Sequence, residues 1–361
     1  MCNYNIVCLF IPNKANDIER IMDKNLDIQI VEALRDYLTS GVEDQMDYQK
    51  FYLYSIVTHS TAIEGSTVTE IENQLLFDEG IAAKGRSLTE QIMNVDLKDA
   101  YLHAFKIASE NPTYTPQLLQ QLSTLVMRRT GSEYSTIAGQ FHSSKGESRL
   151  CNVSAGIGGR SYLAYNKAPH AVEDFCKWLN DEIANIDKTD IAACYRLSFE
   201  AHFRLVTIHP WVDGNGRTTR LIMNMIQCQL GLIPSIVRKE DKGEYIQSLV
   251  DSRENEDSTT AQDVMLRHHI ANLNSRVIQY QENDTINSRI DTVNDTVTEL
   301  KEGVKRIYVA IQNNPGITHS QLMEIFNISE STAKRATRDL KKLGYIKREG
   351  SDKTGRWVLL K

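Results

Sequence analysis

Residues 209–220 read HPWVDGNGRTTR, and they join two stretches in which apolar residues recur at helical spacing. The first stretch runs up to Leu205 and the second begins at Leu221. Pro210 is expected to end the first helix, because proline cannot donate a backbone hydrogen bond and restricts the residue before it. The stretch is therefore predicted to be the loop of a helix–loop–helix unit.

The glycines of this loop favour an anion site. Gly214 and Gly216 give the backbone around Asn215 unusual torsional freedom, so that successive N–H groups can point into one concavity at the start of the second helix. Arg217 and Arg220 are three residues apart and share a face of that helix. Two guanidinium groups beside a set of free amides suit a polyphosphate better than a single carboxylate.

Two further polar residues add chemistry to the loop. Asp213 lies next to the predicted anion site, in a position to hold a divalent cation that bridges phosphate oxygens. His209 lies across the loop, where a neutral imidazole can accept the proton of an attacking hydroxyl. Trp211 is interpreted as an apolar anchor. A simple turn requires neither a histidine nor two arginines, so the whole set favours a reactive site over turn chemistry.

These residues resemble the motif of the Fic family, HxFx(D/E)GNGRxxR. Every functional position matches, and the one departure is Trp211, where phenylalanine is most common. The resemblance covers roughly residues 50–275. It implies that AMP is transferred from ATP to a Ser, Thr or Tyr hydroxyl of a target protein, with Mg²⁺ as cofactor and pyrophosphate as product. The family can also modify its own side chains, so self-modification is expected.

The resemblance also implies roles for the loop residues. His209 would be the base, Asp213 would hold Mg²⁺, and the glycine-flanked Asn215 would bind phosphate. Arg217 and Arg220 would bind the β- and γ-phosphates. The resemblance therefore predicts a complete adenylyltransferase site.

A glycine-rich segment at residues 148–165 contains Gly156, Gly158 and Gly159, which favours a β-hairpin; composition alone also fits a surface loop. By the resemblance, it is similar to the flap that aligns a target peptide as an added strand. Tyr245 is similar in position to a residue near the adenine, although its helical spacing is also typical of a core tyrosine.

Residues 60–65 read STAIEG and resemble the family's inhibitory pattern (S/T)xxxE(G/N), which here precedes the core and implies inhibition by Ser60, Glu64 and Gly65. If Glu64 reaches Arg220, it occupies the guanidinium that should hold the γ-phosphate. One hydrogen bond to a charged group contributes roughly 1.5–3 kcal/mol, enough to slow turnover about ten- to a hundredfold. Hydrolytic removal of AMP, with Glu64 orienting a water, remains open as an alternative.

The fold class is predicted to be mainly α, with a Fic-type helical bundle, a small β-hairpin flap and a C-terminal winged-helix domain. A chain of 361 residues is long enough for more than one domain. The predicted divisions are an N-terminal helical extension at 1–49, a Fic catalytic domain at 50–280 with the inhibitory helix near 50–65, a linker helix at 281–303 and a winged helix-turn-helix domain at 304–361. Capping-box spacings predict helix starts at Thr67 with Glu70 and at Thr318 with Gln321.

The last sixty residues are basic, although the whole chain has a formal net charge of -6. Residues 301–361 contain 13 lysines and arginines against 6 aspartates and glutamates, a net charge of +7. The order of elements resembles a winged helix-turn-helix domain, with DNA binding predicted through residues 329–356. The charges and polar groups expected at the DNA are Ser331, Lys334, Arg335 and Arg338 on the third helix and Lys347, Arg348, Lys353 and Arg356 on the wing. Docking to a protein and a nucleotide-sensing regulator that binds DNA are the open alternatives.

Two further expectations concern the setting of the protein. Six scattered cysteines without a CxxC pair favour a reducing compartment, and the absence of a signal or membrane span in the sequence favours a cytoplasmic protein without a membrane partner. A heptad pattern favours a homodimer and a connector helix about equally. That pattern comprises Ile286, Ile290, Val293, Val297, Leu300, Val304, Ile307 and Ile311.

Overall fold

A computed structural model describes residues 25–155, 161–293, 302–350 and 355–360; for residues 283–293 and 302 it describes the backbone path only. The chain divides into two compact units. One runs up to residue 35 and over 43–273, and the other over 36–42 and 274–361. Gly156, Gly158 and Gly159 of the predicted flap lie outside the described residues.

The helices up to residue 293 confirm the mainly α fold. They are α1 (Leu26–Thr39), α2 (Tyr48–Ile63), α3 (Glu70–Glu79), α4 (Leu88–Ala108), α5 (Pro116–Met127), α6 (Ala168–Asn185), α7 (Ile191–Ile208), α8 (Asn215–Gln229), α9 (Lys242–Asn255) and α10 (Thr259–Val293). A short antiparallel hairpin of β1 (Glu133–Thr136) and β2 (Gly139–His142) follows α5. These two strands were not expected from the sequence. Within the described residues, no helix is long and apolar enough to cross a bilayer.

Helix α8 is buried along its length and packs against α2, α4, α5 and α7. A helix that is buried on all sides must satisfy its polar side chains internally. Asn224 does so by accepting a hydrogen bond from the Tyr101 hydroxyl at 2.9 Å, and Gln227 donates to the Ser198 hydroxyl at 2.9 Å. The loop before α8 therefore leads into a helix that is fixed from every side.

The C-terminal end of α2 is tied to α3 and α4 by buried polar groups. Asn94 of α4 accepts hydrogen bonds from Thr61 at 2.7 Å and from Asn73 of α3 at 2.9 Å. Its amide group donates to Ser66 at 3.1 Å. These contacts lie on both sides of Glu64 in the sequence, so they fix the turn from which Glu64 projects.

One of the two predicted capping boxes is wrong. Thr67 does not begin a helix, because its backbone and hydroxyl groups both donate to the Glu90 carboxylate, at 2.7 and 2.8 Å. Helix α3 begins instead with Thr69 as its N-cap, in a reciprocal pair with Glu72.

The second unit contains the predicted winged-helix arrangement. Its elements are α11 (Glu302–Asn313), α12 (His319–Phe326), α13 (Glu330–Lys342), β3 (Ile346–Glu349) and β4 (Arg356–Leu359), with β3 and β4 antiparallel. The capping box of Thr318 with Gln321 is confirmed at the start of α12. Trp357 and Leu340 lie in the core of this domain.

Only part of the predicted heptad seam can be placed. Ile307 and Ile311 are buried in the core of the winged helix, and Val304 packs against it. The remaining seam positions lie where no side chain is described or outside the described residues. The winged-helix core therefore accounts for the described apolar residues of the pattern, and dimerisation stays a prediction.

Candidate active site

The predicted helix–loop–helix is confirmed. Helix α7 ends at Ile208, and His209 follows in the left-handed region with φ 53°, its N–H donating to Leu205 O at 3.1 Å. Such a backbone conformation in a residue other than glycine costs about 1–3 kcal/mol and persists only where its surroundings hold it. Gly214, with φ 76°, precedes the first residue of α8.

Asn215 closes the loop from inside. Its side-chain oxygen accepts from Trp211 N at 3.1 Å, and its amide group donates to Trp211 O at 2.8 Å. Trp211 is buried, and its indole N–H donates to Gly146 O at 3.0 Å. The Asn215 side chain is thus used within the loop, which leaves the backbone amides at the start of α8 as the groups for an anion.

The imidazole of His209 is held as a neutral base. Its ring stacks on Tyr162 with centroids 3.8 Å apart. Nδ1 lies 3.3 Å from Val206 O, and because a carbonyl only accepts, Nδ1 carries the proton and Nε2 carries the lone pair. Burial lowers the pKa of His209 to about 4, and Arg149 and Arg253 act in the same direction. The ring is therefore unprotonated at neutral pH.

Arg217 offers donors without a protein acceptor. Its side chain is 6% exposed, and Nη2 lies 3.2 Å from Met127 Sδ and 3.5 Å from Asp213 Oδ1. Its Nε and Nη1 have no hydrogen-bond partner among the described residues. Burial lowers the pKa of Arg217. Unpaired buried donors are rare and costly, so this guanidinium suits an anion that supplies the missing acceptors.

Asp213 is the carboxylate of the loop. Its side chain is 56% exposed, and Oδ1 accepts from Gly214 N at 2.6 Å. No cluster of three or more acidic, histidine or cysteine ligands occurs in the part of the chain that the structure describes. Mg²⁺ in phosphoryl-transfer sites is held by one or two carboxylates together with substrate phosphates. The exposed Asp213 carboxylate, beside an Arg217 whose Nε and Nη1 lack acceptors among the described residues, fits that donor set.

Arg220, in contrast, is occupied by the chain itself. Nε donates to Ser60 Oγ at 3.0 Å, and Nη2 donates to Ser60 O at 2.9 Å and to Glu64 Oε1 at 2.6 Å. Nη1 lies 3.5 Å from the Tyr245 hydroxyl. Burial alone would lower the pKa of Arg220, but the Glu64 carboxylate and Tyr245 raise it above its ordinary value.

Glu64 reaches Arg220 from the end of α2. It is the C-cap of that helix, and Gly65 after it has φ 103°, a conformation that favours glycine. A Cβ added at Gly216 would overlap Glu64 Oε1, so the carboxylate lies against the first turn of α8. Burial would raise the pKa of Glu64, yet Arg220, then Arg217 and Lys242, lower it below its ordinary value.

Tyr245 lies behind this contact and is 1% exposed. Its hydroxyl lies 2.8 Å from Nε2 of the buried His202, whose pKa burial lowers to about 3. The hydroxyl therefore supports Arg220 from the core of the protein. The structure brings the predicted residues of the loop, Ser60, Glu64 and Tyr245 together around the start of α8.

The described flanks of residues 148–165 pair as a hairpin. Ser154 and Ser161 form an antiparallel bridge, and Tyr162 N donates to Val153 O at 3.0 Å. Two residues near the site were not expected from the sequence: Arg149 at the base of this hairpin and Met127 beside Arg217. A lone arginine or methionine gives no sequence signal, because only the folded chain brings Arg149 to His209, 60 positions away, and Met127 to Arg217, 90 positions away.

Comparisons with known proteins agree with this geometry. Residues 113–227 match the model of the Fic/DOC family, and residues 304–347 match that of a winged helix-turn-helix DNA-binding domain. The protein adenylyltransferase Fic of Drosophila erecta is 29% identical over 231 residues, which cover 62% of this chain and 43% of that one. The protein adenylyltransferase fic-1 of Caenorhabditis elegans is 27% identical over 208 residues, which cover 57% and 37%. The chain thus spans less than half the length of these two relatives.

Solved structures show the same fold. A Fic-domain signaling protein from Bacteroides thetaiotaomicron superposes with a TM-score of 0.57 at 17% identity, covering 70% of this chain and 96% of that one. Residues 134–508 of Fic-1 from C. elegans superpose with a TM-score of 0.53 at 21% identity, covering 70% and 71%. With the family model matched across α5 to α8, residues 113–227 of the chain form a Fic domain, and a winged helix-turn-helix domain follows it.

Proposed function

We propose that the protein is an adenylyltransferase that transfers AMP from ATP to a Ser, Thr or Tyr hydroxyl of a target protein, its own side chains included. The observation that carries the proposal is the segment of residues 209–220. It places a neutral His209 at one end of the loop and, at the start of α8, an Arg217 whose Nε and Nη1 have no acceptor among the described residues. Relatives named protein adenylyltransferase support the same activity.

The chemistry requires a base and an anion site. The hydroxyl oxygen of the target attacks the α-phosphorus of ATP, the bond to the β-phosphate breaks, and pyrophosphate leaves. His209 Nε2 accepts the hydroxyl proton. Arg217 and the amides at the start of α8 stabilise the charge on the leaving phosphates. Asp213 would hold Mg²⁺, which would neutralise phosphate charge when bound.

We further propose that the described state is inhibited. A γ-phosphate needs the donors of Arg220, and Ser60 and Glu64 occupy them. ATP would then bind in a pose that does not favour transfer. Removing the Glu64 contact should raise turnover about ten- to a hundredfold, from roughly 1.5–3 kcal/mol for a charged hydrogen bond.

Labelled ATP tests both proposals in one assay. We expect weak AMP incorporation into the purified wild type, more in Glu64→Gly and none above background in the double variant Glu64→Gly/His209→Ala. Equal labelling of all three would reject the mechanism. Removal of AMP from a labelled target by the wild type, but not by Glu64→Gly, would favour the hydrolytic alternative.

The winged helix supports a second proposal, duplex DNA binding. Arg335 and Arg338 are exposed on α13, opposite its buried Ala333 and Leu340. Lys334 is exposed too but lies 2.6 Å from Glu330. On the wing, Lys347 pairs with Glu349, and Arg348 stacks over Trp357. Among the described cations predicted to face DNA, Arg335 and Arg338 are therefore the exposed ones for which no ion pair is found, while Lys353 lies outside the described residues.

Fluorescence anisotropy with a labelled duplex tests this second proposal on the full chain. Arg335→Ala should weaken binding and lower the salt slope by about one ion, whereas Lys334→Ala should do less because its charge is already paired. An absence of binding to any duplex at low salt would favour a protein partner for this domain.

A further inference from the structure

Arg149 is a buried cation whose side chain bonds to backbone carbonyls. It is 0% exposed. Its Nε donates to His209 O at 2.8 Å, Nη1 donates to Cys151 O at 2.7 Å, and Nη2 donates to Leu163 O. Burial lowers the pKa of Arg149, and the one charged group that opposes this shift is Cys151, so no carboxylate among the described residues offsets the burial. A buried charge without a counterion is costly, so these carbonyls must hold it firmly.

The three acceptors lie on three separate segments. His209 belongs to the motif loop, residues 209–220. Cys151 and Leu163 lie at the two flanks of the flap hairpin, the predicted hairpin of residues 148–165. The backbone of Arg149 adds a fourth contact, because its N–H donates to Pro210 O at 3.0 Å. One residue therefore joins both ends of the flap to the loop that carries the base.

Two contacts extend this connection to the imidazole itself. Tyr162 precedes Leu163 in the sequence and stacks on the His209 ring at 3.8 Å. Its N–H donates to Val153 O at 3.0 Å, which pairs the two flanks. A shift of the flap would therefore move the aromatic ring against which His209 rests.

We infer that Arg149 is a positioning residue that keeps the flap in register with His209, so that a hydroxyl carried by a segment aligned on the flap meets Nε2. The inference rests on the proposed transferase function and extends it to a residue that acts through the backbone. Arginine suits this place because its planar group presents donors in fixed, diverging directions. A lysine ammonium concentrates its donors on one atom and cannot reach the three carbonyls in the same way.

The test compares Arg149→Lys and Arg149→Gln in the Glu64→Gly background. We expect kcat for AMP incorporation to fall by about 10²-fold, the scale of an ångström-sized misplacement of reacting groups. The affinity for Mg-ATP, measured by calorimetry, should stay within about threefold of that of Glu64→Gly, since binding of the nucleotide before the reaction is not expected to depend on Arg149. Amide hydrogen exchange should accelerate in peptides that cover residues 150–155 and 161–165. Arg149→Gln serves where Arg149→Lys does not fold.

Arg196→Lys is the matched control. Arg196 of α7 donates to the carboxylates of Asp27 and Asp263, and none of its described hydrogen bonds reaches residues 209–220 or the described flanks of the hairpin. We expect this variant to lose stability but to keep kcat and the exchange rates of the flap flanks. An equal fall of kcat in the control, or a fall of ATP affinity in proportion to kcat in Arg149→Lys, would overturn the inference. Retention of kcat by Arg149→Lys within about threefold would overturn it too.

The exchange measurement separates this inference from the proposed function. If Glu64→Gly transfers no AMP to any protein, the proposed function fails. The positioning role of Arg149 is then supported if exchange at both flanks accelerates in Arg149→Lys and not in Arg196→Lys, and it is rejected if the two variants exchange alike.

Discussion

The His209 side and the Arg220 side of the motif loop, residues 209–220, differ in the contacts that the rest of the chain makes with them. On one side, Tyr162, Val206 and Arg149 hold His209 in a neutral form with Nε2 available. On the other side, Ser60 and Glu64 take the donors of Arg220. Under the proposed function, the base would therefore be in place while the phosphate site is half closed, and the occupancy of Arg220, not a misplaced base, would limit turnover.

This difference also separates the two arginines of α8. Arg217 is buried without acceptors for Nε and Nη1, while Arg220 is buried with acceptors from its own chain. The contact of Glu64 with Arg220 therefore leaves Nε and Nη1 of Arg217 without acceptors among the described residues. ATP should bind to the inhibited form, although without the contact that the Arg220 donors would supply.

The largest expected effect is the loss of the base. His209→Ala should lower AMP transfer by about 10²–10⁴-fold in the wild type and in Glu64→Gly alike, because opening the phosphate side cannot replace a proton acceptor. Initial rates with labelled ATP measure this. His103→Ala, an exposed histidine of α4, is the matched control and should transfer at the parent rate. If Glu64→Gly/His209→Ala transferred AMP at the rate of Glu64→Gly, His209 would not be the proton acceptor that the proposed mechanism requires.

A smaller effect is expected from the charge of Glu64. Glu64→Gln keeps an oxygen that can accept from Arg220 but removes the carboxylate, and a neutral acceptor makes a hydrogen bond of roughly half the strength. The rate should rise by about tenfold, below that of Glu64→Gly. The exposed Glu110→Gln is the control. A rate for Glu64→Gln equal to that of the wild type would show that the negative charge of Glu64 is not what keeps the Arg220 donors from the γ-phosphate.

Ser60→Ala should act more weakly still. It removes the hydroxyl that accepts from Arg220 Nε, but the Ser60 carbonyl and Glu64 remain. A net hydrogen-bond contribution of about 0.5–1.5 kcal/mol corresponds to a rise of about two- to tenfold in rate. The double variant Ser60→Ala/Glu64→Gly should match Glu64→Gly alone, since both changes release one guanidinium. Additive gains would mean that Ser60 and Glu64 act on different groups.

The sequence predicted the loop well because its residues are close together along the chain. Pro210 and Gly214 set the helix ends by local backbone chemistry, which is why α7 and α8 stop and start as expected. The winged helix was predicted for the same reason, through Thr318 and its capping box. Local rules failed at Thr67, whose donors found Glu90 across the fold and left Thr69 to cap α3.

Long-range contacts account for the other misses. Nothing in the sequence indicates that Asn215 would close the loop through its side chain, that Tyr245 would meet His202, or that Arg149 would reach His209. Each of these contacts depends on which elements pack together, and β1 and β2 were too short to give a clear alternation.

The smallest expected effect concerns pH. Because burial lowers the pKa of His209 to about 4 from an ordinary value of 6.5, the imidazole stays neutral until the pH approaches the lower value. Glu64 raises that pKa, so Glu64→Gly should not move it upward. Arg220 keeps the pKa of the Glu64 carboxyl in the wild type below its ordinary value, so the contact between Glu64 and Arg220 stays charged over the same range. At saturating Mg-ATP, kcat of Glu64→Gly should change by less than about twofold between pH 6 and 8, and its ratio to the wild type should stay constant. A fall of kcat toward low pH with an apparent pKa near 6.5 would mean that His209 is solvated during turnover. The His209 side of the loop would then be less firmly held than its geometry indicates, and it would differ less from the Arg220 side.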